Sequence, residues 1–162
     1  MRLFILLIIF LCAFNANAEE KKIYFAGGCF WCLEEAYQDV DGVISAISGY
    51  SGGHTTNPTY EKISTGKTGH IEALEIIYDD EIINSDSILN IFFKNIDPFD
   101  ENGQFCDKGY QYQSAIFLNS NINQTLVNKY ISIIENNYEK KVKTLVLEFD
   151  KFYEAEDYHQ DF

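Results

Sequence analysis

The run Gly27-Gly28-Cys29-Phe30-Trp31-Cys32-Leu33-Glu34 constrains this chain more than any other stretch. Ile23, Tyr24 and Phe25 before it read as a short buried strand, and Phe30 to Val40 after it carry apolar side chains at helical spacing. Two adjacent glycines supply the tight strand-to-helix turn, which residues with a Cβ resist. The first amides of the helix have no acceptor of their own, and together with the positive end of the helix dipole they point at Cys29. That setting favours thiolate over thiol, so Cys29 reads as a nucleophile and not as an inert core sulfur.

Upstream of this turn lies a segment with a different logic. Arg2 supplies a positive charge, Leu3 to Phe14 is unbroken apolar sequence, and Ala16-Asn17-Ala18 has the small residues of a cleavage site. Residues 1–18 are therefore predicted to be a secretory signal peptide, leaving one domain over 19–162 that is exported, periplasmic or secreted. The apolar run is well short of the ~20 residues a spanning helix needs, so no stable membrane association is expected after cleavage. Cys12 follows Leu11, which is too large for the residue preceding a lipid-modified cysteine.

Beyond the signal three cysteines remain, Cys29, Cys32 and Cys106. An odd number in an exported chain leaves at least one thiol free, cycling or paired between chains, and three are too few to staple a domain of this size. The net charge of −13 argues against nucleic acid as a partner. With 46% hydrophobic and 15% aromatic residues the chain has ample material for a core, so the acidity describes its surface. A monomer is the expected state.

The remaining elements follow from periodicity. Val43 to Tyr50 and Ile71 to Tyr78 read as strands, with a weakly helical segment from Tyr60 to Thr65 between them. Ser85 is the expected N-cap of a helix running to Asn95. Residues 97–112 show no regular period and contain Pro98, Gly103 and Gly109, a length of loop that usually serves function. Ser114 to Leu118 and Thr144 to Phe149 read as strands around a helix from Asn123 to Tyr138, and the tail from Phe152 to Phe162 is aromatic and acidic. The fold class is α+β, a two-layer α/β arrangement in which a mixed sheet with flanking helices is built on a ferredoxin-like βαβ core.

Three chemistries fit the cysteines. Cys29 and Cys32 at i and i+3 lie on one face of a helix within bridging range, a redox arrangement. Cys29, Cys32 and Cys106 with one of His54, His70 or His159 could form a tetrahedral zinc shell, although a second paired Cys or His motif is missing. A thioredoxin-type dithiol also fits, but Phe30 and Trp31 lie between the cysteines, where they look like a pocket floor.

Several separated blocks decide among these. Gly28-Cys29-Phe30-Trp31, Gly49-Tyr50 with Gly52-Gly53, Asn57-Pro58-Thr59-Tyr60, Gly69-His70-Ile71-Glu72 and Asp107 to Ser114 stand in the order found in the A-type peptide methionine sulfoxide reductases, and the ending Phe152 to Gln160 resembles that family's C-terminal block. The resemblance covers essentially the whole chain after the signal. It implies that Cys29 attacks the sulfoxide sulfur of the S epimer, in proteins or free methionine sulfoxide, and that Glu72 is the carboxylic acid serving the leaving oxygen. Tyr60 and Tyr112 match hydroxyls that share that oxygen, Asp107 matches an acid that orients the site, and Phe30 and Trp31 match the apolar wall for the S-methyl group. It further implies a sulfenic acid on Cys29, a disulfide with a second thiol, and an external dithiol such as thioredoxin in place of any cofactor or metal. Family members often have Gly where Cys32 stands and place recycling cysteines in a C-terminal tail, whereas this chain has no Cys after Cys106. Cys32 is the expected resolving cysteine and Cys106 the alternative. Tyr110 and Gln113 stand where Thr and Arg are more usual.

Overall fold

The computed structural model describes residues 20–161; the expected signal peptide lies outside them. The chain opens with β1 (Lys21–Gly27), α1 (Phe30–Gln38), β2 (Val43–Ser51), α2 (Tyr60–Ile63), β3 (Ile71–Tyr78) and α3 (Ser85–Lys94). It continues with β4 (Gly103–Gln104), β5 (Asp107–Lys108), β6 (Ser114–Leu118), α4 (Gln124–Tyr138), β7 (Leu145–Glu148) and β8 (Phe152–Glu154). Single 3₁₀ turns cover Tyr110–Tyr112 and Asp157–His159.

The main sheet has the order β7-β6-β1-β3-β2-β8. Its four inner strands, β6-β1-β3-β2, are antiparallel throughout, with α1 between β1 and β2 and α3 between β3 and β6. That is the ferredoxin-like split βαβ arrangement expected from the alternation of elements. β7 adds a parallel partner to β6, which makes the sheet mixed, and β8 pairs antiparallel with β2 at the other edge.

Alternate residues of the strands face two different layers. Ile23, Phe25, Leu74 and Ile76 meet Leu33 and Tyr37 of α1, Ile88, Leu89 and Phe92 of α3 and Val127 of α4. On the opposite face Tyr24, Ala26, Ala73, Ala115 and Phe117 are covered by Leu145, Leu147, Phe149 and Phe152, with Tyr24 stacked 3.9 Å from Phe149. Each fully buried Ile, Leu, Val or Phe among them contributes about 1.5–3 kcal/mol, so both layers stabilise the sheet.

Local readings required three corrections. Asn84, not Ser85, caps α3, its side chain accepting from the Ser87 amide at 2.9 Å. The stretch 97–112 is not wholly irregular: β4 and β5 form a two-stranded hairpin, and Tyr110–Tyr112 a helical turn. The tail contributes β8, whose three residues are too short to show a period of their own. No helix among the described residues is long and apolar enough to cross a membrane.

Candidate active site

The carboxyl ends of β1 and β2 and the amino end of β3 lie together, and α1 starts there. Gly28 makes the turn with φ +86°, and an added Cβ would fall 2.6 Å from the Cβ of Gln104. The glycine thus meets two demands, left-handed backbone and close approach of the β4–β5 hairpin. Cys29 follows as the N-cap of α1, half-buried, with its carbonyl accepting from the Leu33 amide. Burial is the largest influence on its thiol and pushes the pKa up to about 11. The amides of Cys32 and Trp31 hydrogen-bond the sulfur and pull the other way, while the charge of Glu72 adds to the rise. The expected help from the helix start is therefore real, but desolvation outweighs it and the resting group is a thiol, contrary to the thiolate the turn alone implies.

Glu72 lies on β3 directly across from Tyr50 of β2 and is only 2% exposed. One carboxyl oxygen accepts from the Phe30 amide at 3.1 Å. Burial raises its pKa to about 7, the Phe30 hydrogen bond opposes the shift, and the Asp107 carboxylate increases it. A carboxyl bonded to the amide of the residue that follows Cys29 is thereby held partly protonated at neutral pH.

Tyr60, the first residue of α2, and Tyr112, in the 3₁₀ turn, are linked by a side-chain hydrogen bond. Burial chiefly raises the Tyr112 pKa, helped by that bond and by the charges of Glu72 and Asp107, so the phenol stays protonated and able to donate. Asp107, opposite Gln104 in the hairpin, is near enough to Glu72 to act on it electrostatically. Phe30 is buried against Tyr50, Ile63 and Ala155, with Trp31 and Tyr60 packed on the same cluster. Trp31 donates its indole N–H to the His159 carbonyl at 3.0 Å.

The structure thus brings Cys29, Glu72, Tyr60, Tyr112, Asp107, Phe30 and Trp31 to one end of the sheet. The two other thiols flank them. Cys32 is exposed one helical turn beyond Cys29, and Cys106 is exposed at the turn of the hairpin whose Gln104 rests on Gly28. Of the histidines considered for zinc, His70 has its ring engaged by the Gly53 amide at 3.2 Å and the Thr55 carbonyl at 2.8 Å. Among the described residues no three His, Cys, Asp or Glu side chains form a group able to hold a metal ion.

Two residues that sequence reasoning did not single out for this site belong to it. Glu156 accepts from the Tyr60 amide at 3.0 Å and from the Tyr50 hydroxyl at 2.8 Å. Burial would raise its pKa, but these donors and its own amide outweigh that and hold the carboxylate below its ordinary range. His159, weighed from sequence only as a metal ligand, packs against Phe30, Trp31 and Tyr60 at ring separations of 5.1, 5.4 and 4.6 Å. The one signal for either was the C-terminal block of the resemblance.

A family model described as Peptide methionine sulfoxide reductase matches residues 21–162. The chain belongs to the peptide methionine sulfoxide reductase family. The protein named Peptide methionine sulfoxide reductase MsrA 2 of Staphylococcus aureus is 45% identical over 139 residues, covering 85% of this chain and 78% of its own length. Peptide methionine sulfoxide reductase MsrA/MsrB of Vibrio cholerae is 41% identical over 150 residues. The match covers 91% of this chain but 40% of that longer protein. The solved structure titled Methionine sulfoxide reductase A of Corynebacterium diphtheriae superposes with a TM-score of 0.79 at 30% identity, covering 90% of this chain and 74% of the other. The chain is a peptide methionine sulfoxide reductase of the A class, which reduces methionine sulfoxide in protein repair.

Proposed function

We propose that the Cys29 sulfur attacks the sulfur of methionine-S-sulfoxide, protein-bound or free, with Glu72 as the acid for its oxygen. The S-methyl group rests on Phe30 and Trp31, and the oxygen lies toward Glu72, Tyr60 and Tyr112, with Asp107 sustaining the protonated state of Glu72. Attack transfers the oxygen to Cys29: the sulfoxide S–O bond breaks and methionine leaves, Cys29 is oxidised to a sulfenic acid, and Glu72 lends the oxygen a proton while the carboxylate takes back the one released by the Cys29 thiol, so that a single hydrogen ends on the sulfenic oxygen. A second thiol then displaces water to form a disulfide, and an external dithiol of the thioredoxin kind reduces it. The observation that carries this reading is the 3.1 Å hydrogen bond from the Phe30 amide to the Glu72 carboxyl, which holds a raised-pKa acid beside the helix start that bears Cys29.

Cys32 is the resolving thiol in this proposal. The Cys29 sulfur takes the Cys32 amide as a donor, so the residue carrying the second thiol already touches the first. Cys106 is the rival because its hairpin packs on Gly28. Mass spectrometry of non-reduced peptides after one turnover distinguishes them: a Cys29–Cys32 bond is expected, and a Cys29–Cys106 bond would contradict the assignment. The leader-like residues 1–18 support action outside the cytoplasm, periplasmic or secreted, which N-terminal sequencing of the protein from host cells tests: a chain beginning at Glu19 is expected, and one retaining residues 1–18 would contradict export.

The reaction is tested by methyl sulfoxide reduction with dithiothreitol. Cys29→Ser is expected to abolish turnover, and wild-type turnover in that variant would rule the mechanism out.

A further inference from the structure

The mechanism leaves Glu156 without a task, yet its position is unusual for one carboxylate among the many of an acidic chain. It stands on a tail segment fastened on both sides. The Ala155 amide donates to the Ser48 carbonyl at 2.9 Å. Gln160 pairs with the same residue twice, accepting from the Ser48 amide at 3.0 Å and donating to its carbonyl at 2.9 Å. The Asp161 amide donates to buried Glu34 at 2.8 Å. Between these anchors one Glu156 oxygen accepts from the Tyr60 amide and the other from the Tyr50 hydroxyl.

Those two donors belong to the two halves of the oxygen site. Tyr60 opens the four-residue α2, and Thr59 before it makes no side-chain capping hydrogen bond. Tyr50 is the cross-strand partner of Glu72 and packs against Phe30 at 6.1 Å. The backbone of Glu156 adds a third tie, its carbonyl accepting from the amide of His159, whose ring lies 4.6 Å from that of Tyr60.

We infer that Glu156 is a positioning residue for sulfoxide reduction: by bridging the Tyr60 amide and the Tyr50 hydroxyl it sets the Tyr60 hydroxyl at a fixed offset from Glu72. This rests on the reading that Tyr60 shares the sulfoxide oxygen. The bridge does not touch substrate. It acts because α2 is a single turn on a long loop, held besides by Ile63 and Tyr60 in the Phe30 cluster, and a displacement of about 1 Å costs on the order of 100-fold in a step that depends on alignment.

A double-mutant cycle separates this from a merely structural role. Single-turnover methionine formation is measured in wild type, Glu156→Ala, Tyr60→Phe and the double variant, with urea unfolding recorded for each. Glu156→Ala is expected to slow the step by about 10- to 100-fold with little change in substrate KM. In the Tyr60→Phe background the same substitution is expected to slow it less than about 3-fold, because the hydroxyl it positions is already gone. Equal losses in both backgrounds, or a wild-type rate in Glu156→Ala, would overturn the inference. A wild-type rate in Tyr60→Phe would remove the underlying reading of Tyr60, an outcome separate from failure of the bridge. Glu156→Gln, which keeps an acceptor for the Tyr60 amide while losing the charge, serves the same cycle if the alanine variant does not fold, and is expected to retain more of the rate.

Discussion

Two glutamates three residues apart on β3 are both buried, and they could hardly be treated more differently. Glu75 faces the layer formed by Tyr24 and its neighbours, where it accepts from the Tyr24 hydroxyl at 2.7 Å and the Lys22 ammonium at 3.1 Å. Glu72 faces the opposite side at the end of the sheet, where its one hydrogen bond among the described residues comes from the Phe30 amide and its charged neighbour is another carboxylate, Asp107. A buried carboxylate with a cation and a hydroxyl is compensated as an anion; one with an amide and a like charge is pushed toward its neutral acid. The same residue type on the same strand thus joins the structure at one position and, in the proposed mechanism, donates a proton at the other.

Substitution separates the two most sharply through rate. Glu72→Gln removes the proton the oxygen requires, and single-turnover methionine formation is expected to fall about 10²- to 10⁴-fold. Glu75→Gln is expected to leave that rate within a few fold of wild type. A large rate loss in Glu75→Gln with the fold intact would show that the two faces of β3 are coupled.

Glu72 also ties stability to pH. The Glu72 pKa is raised from 4.5 to about 7, so the folded state binds its proton more tightly than the unfolded one does. Its favourable contribution is complete below about pH 4.5 and is lost as pH rises through about 7, on the order of 3 kcal/mol in all. Glu72→Gln carries no such proton. Urea unfolding at pH 5 and pH 8 is therefore expected to show the variant gaining on wild type at the higher pH, and parallel behaviour at both would contradict the burial argument.

Smaller effects belong to the paired glutamate. Glu75→Gln is expected to cost about 1–3 kcal/mol at neutral pH, since the Tyr24 hydroxyl and Lys22 lose a charged partner. Lys22→Ala removes a half-exposed cation and is expected to cost no more than about 1 kcal/mol in the same unfolding experiment.

Sequence reading recovered what periodicity encodes. β1, β2 and β3 run over seven to nine residues, long enough for an apolar or alternating pattern to stand out, and the ferredoxin-like core followed from the alternation of strands with helices. β8 was not visible because a three-residue strand has no period and its partner, β2, lies some hundred residues earlier. At the site, the Gly-Gly-Cys turn was legible from residue type alone, but the state of the thiol was not: the direction of the amides can be read from a helix start, while the desolvation that outweighs them depends on chain folded over it. Nothing in residue type or spacing sets Glu72 apart from any polar residue of a strand, and only the resemblance singles it out. Glu156 was indistinguishable from surface acids in an acidic tail, since only the folded chain brings it to Tyr60 and Tyr50.

The proton on Glu72 is the point on which the account turns, and a ¹³C NMR titration of its side-chain carboxyl in the reduced protein reads it directly. A midpoint near 7 is predicted. A midpoint in the ordinary carboxylate range, about 4.3, would mean that Glu72 is an anion at neutral pH and cannot be the acid for the sulfoxide oxygen.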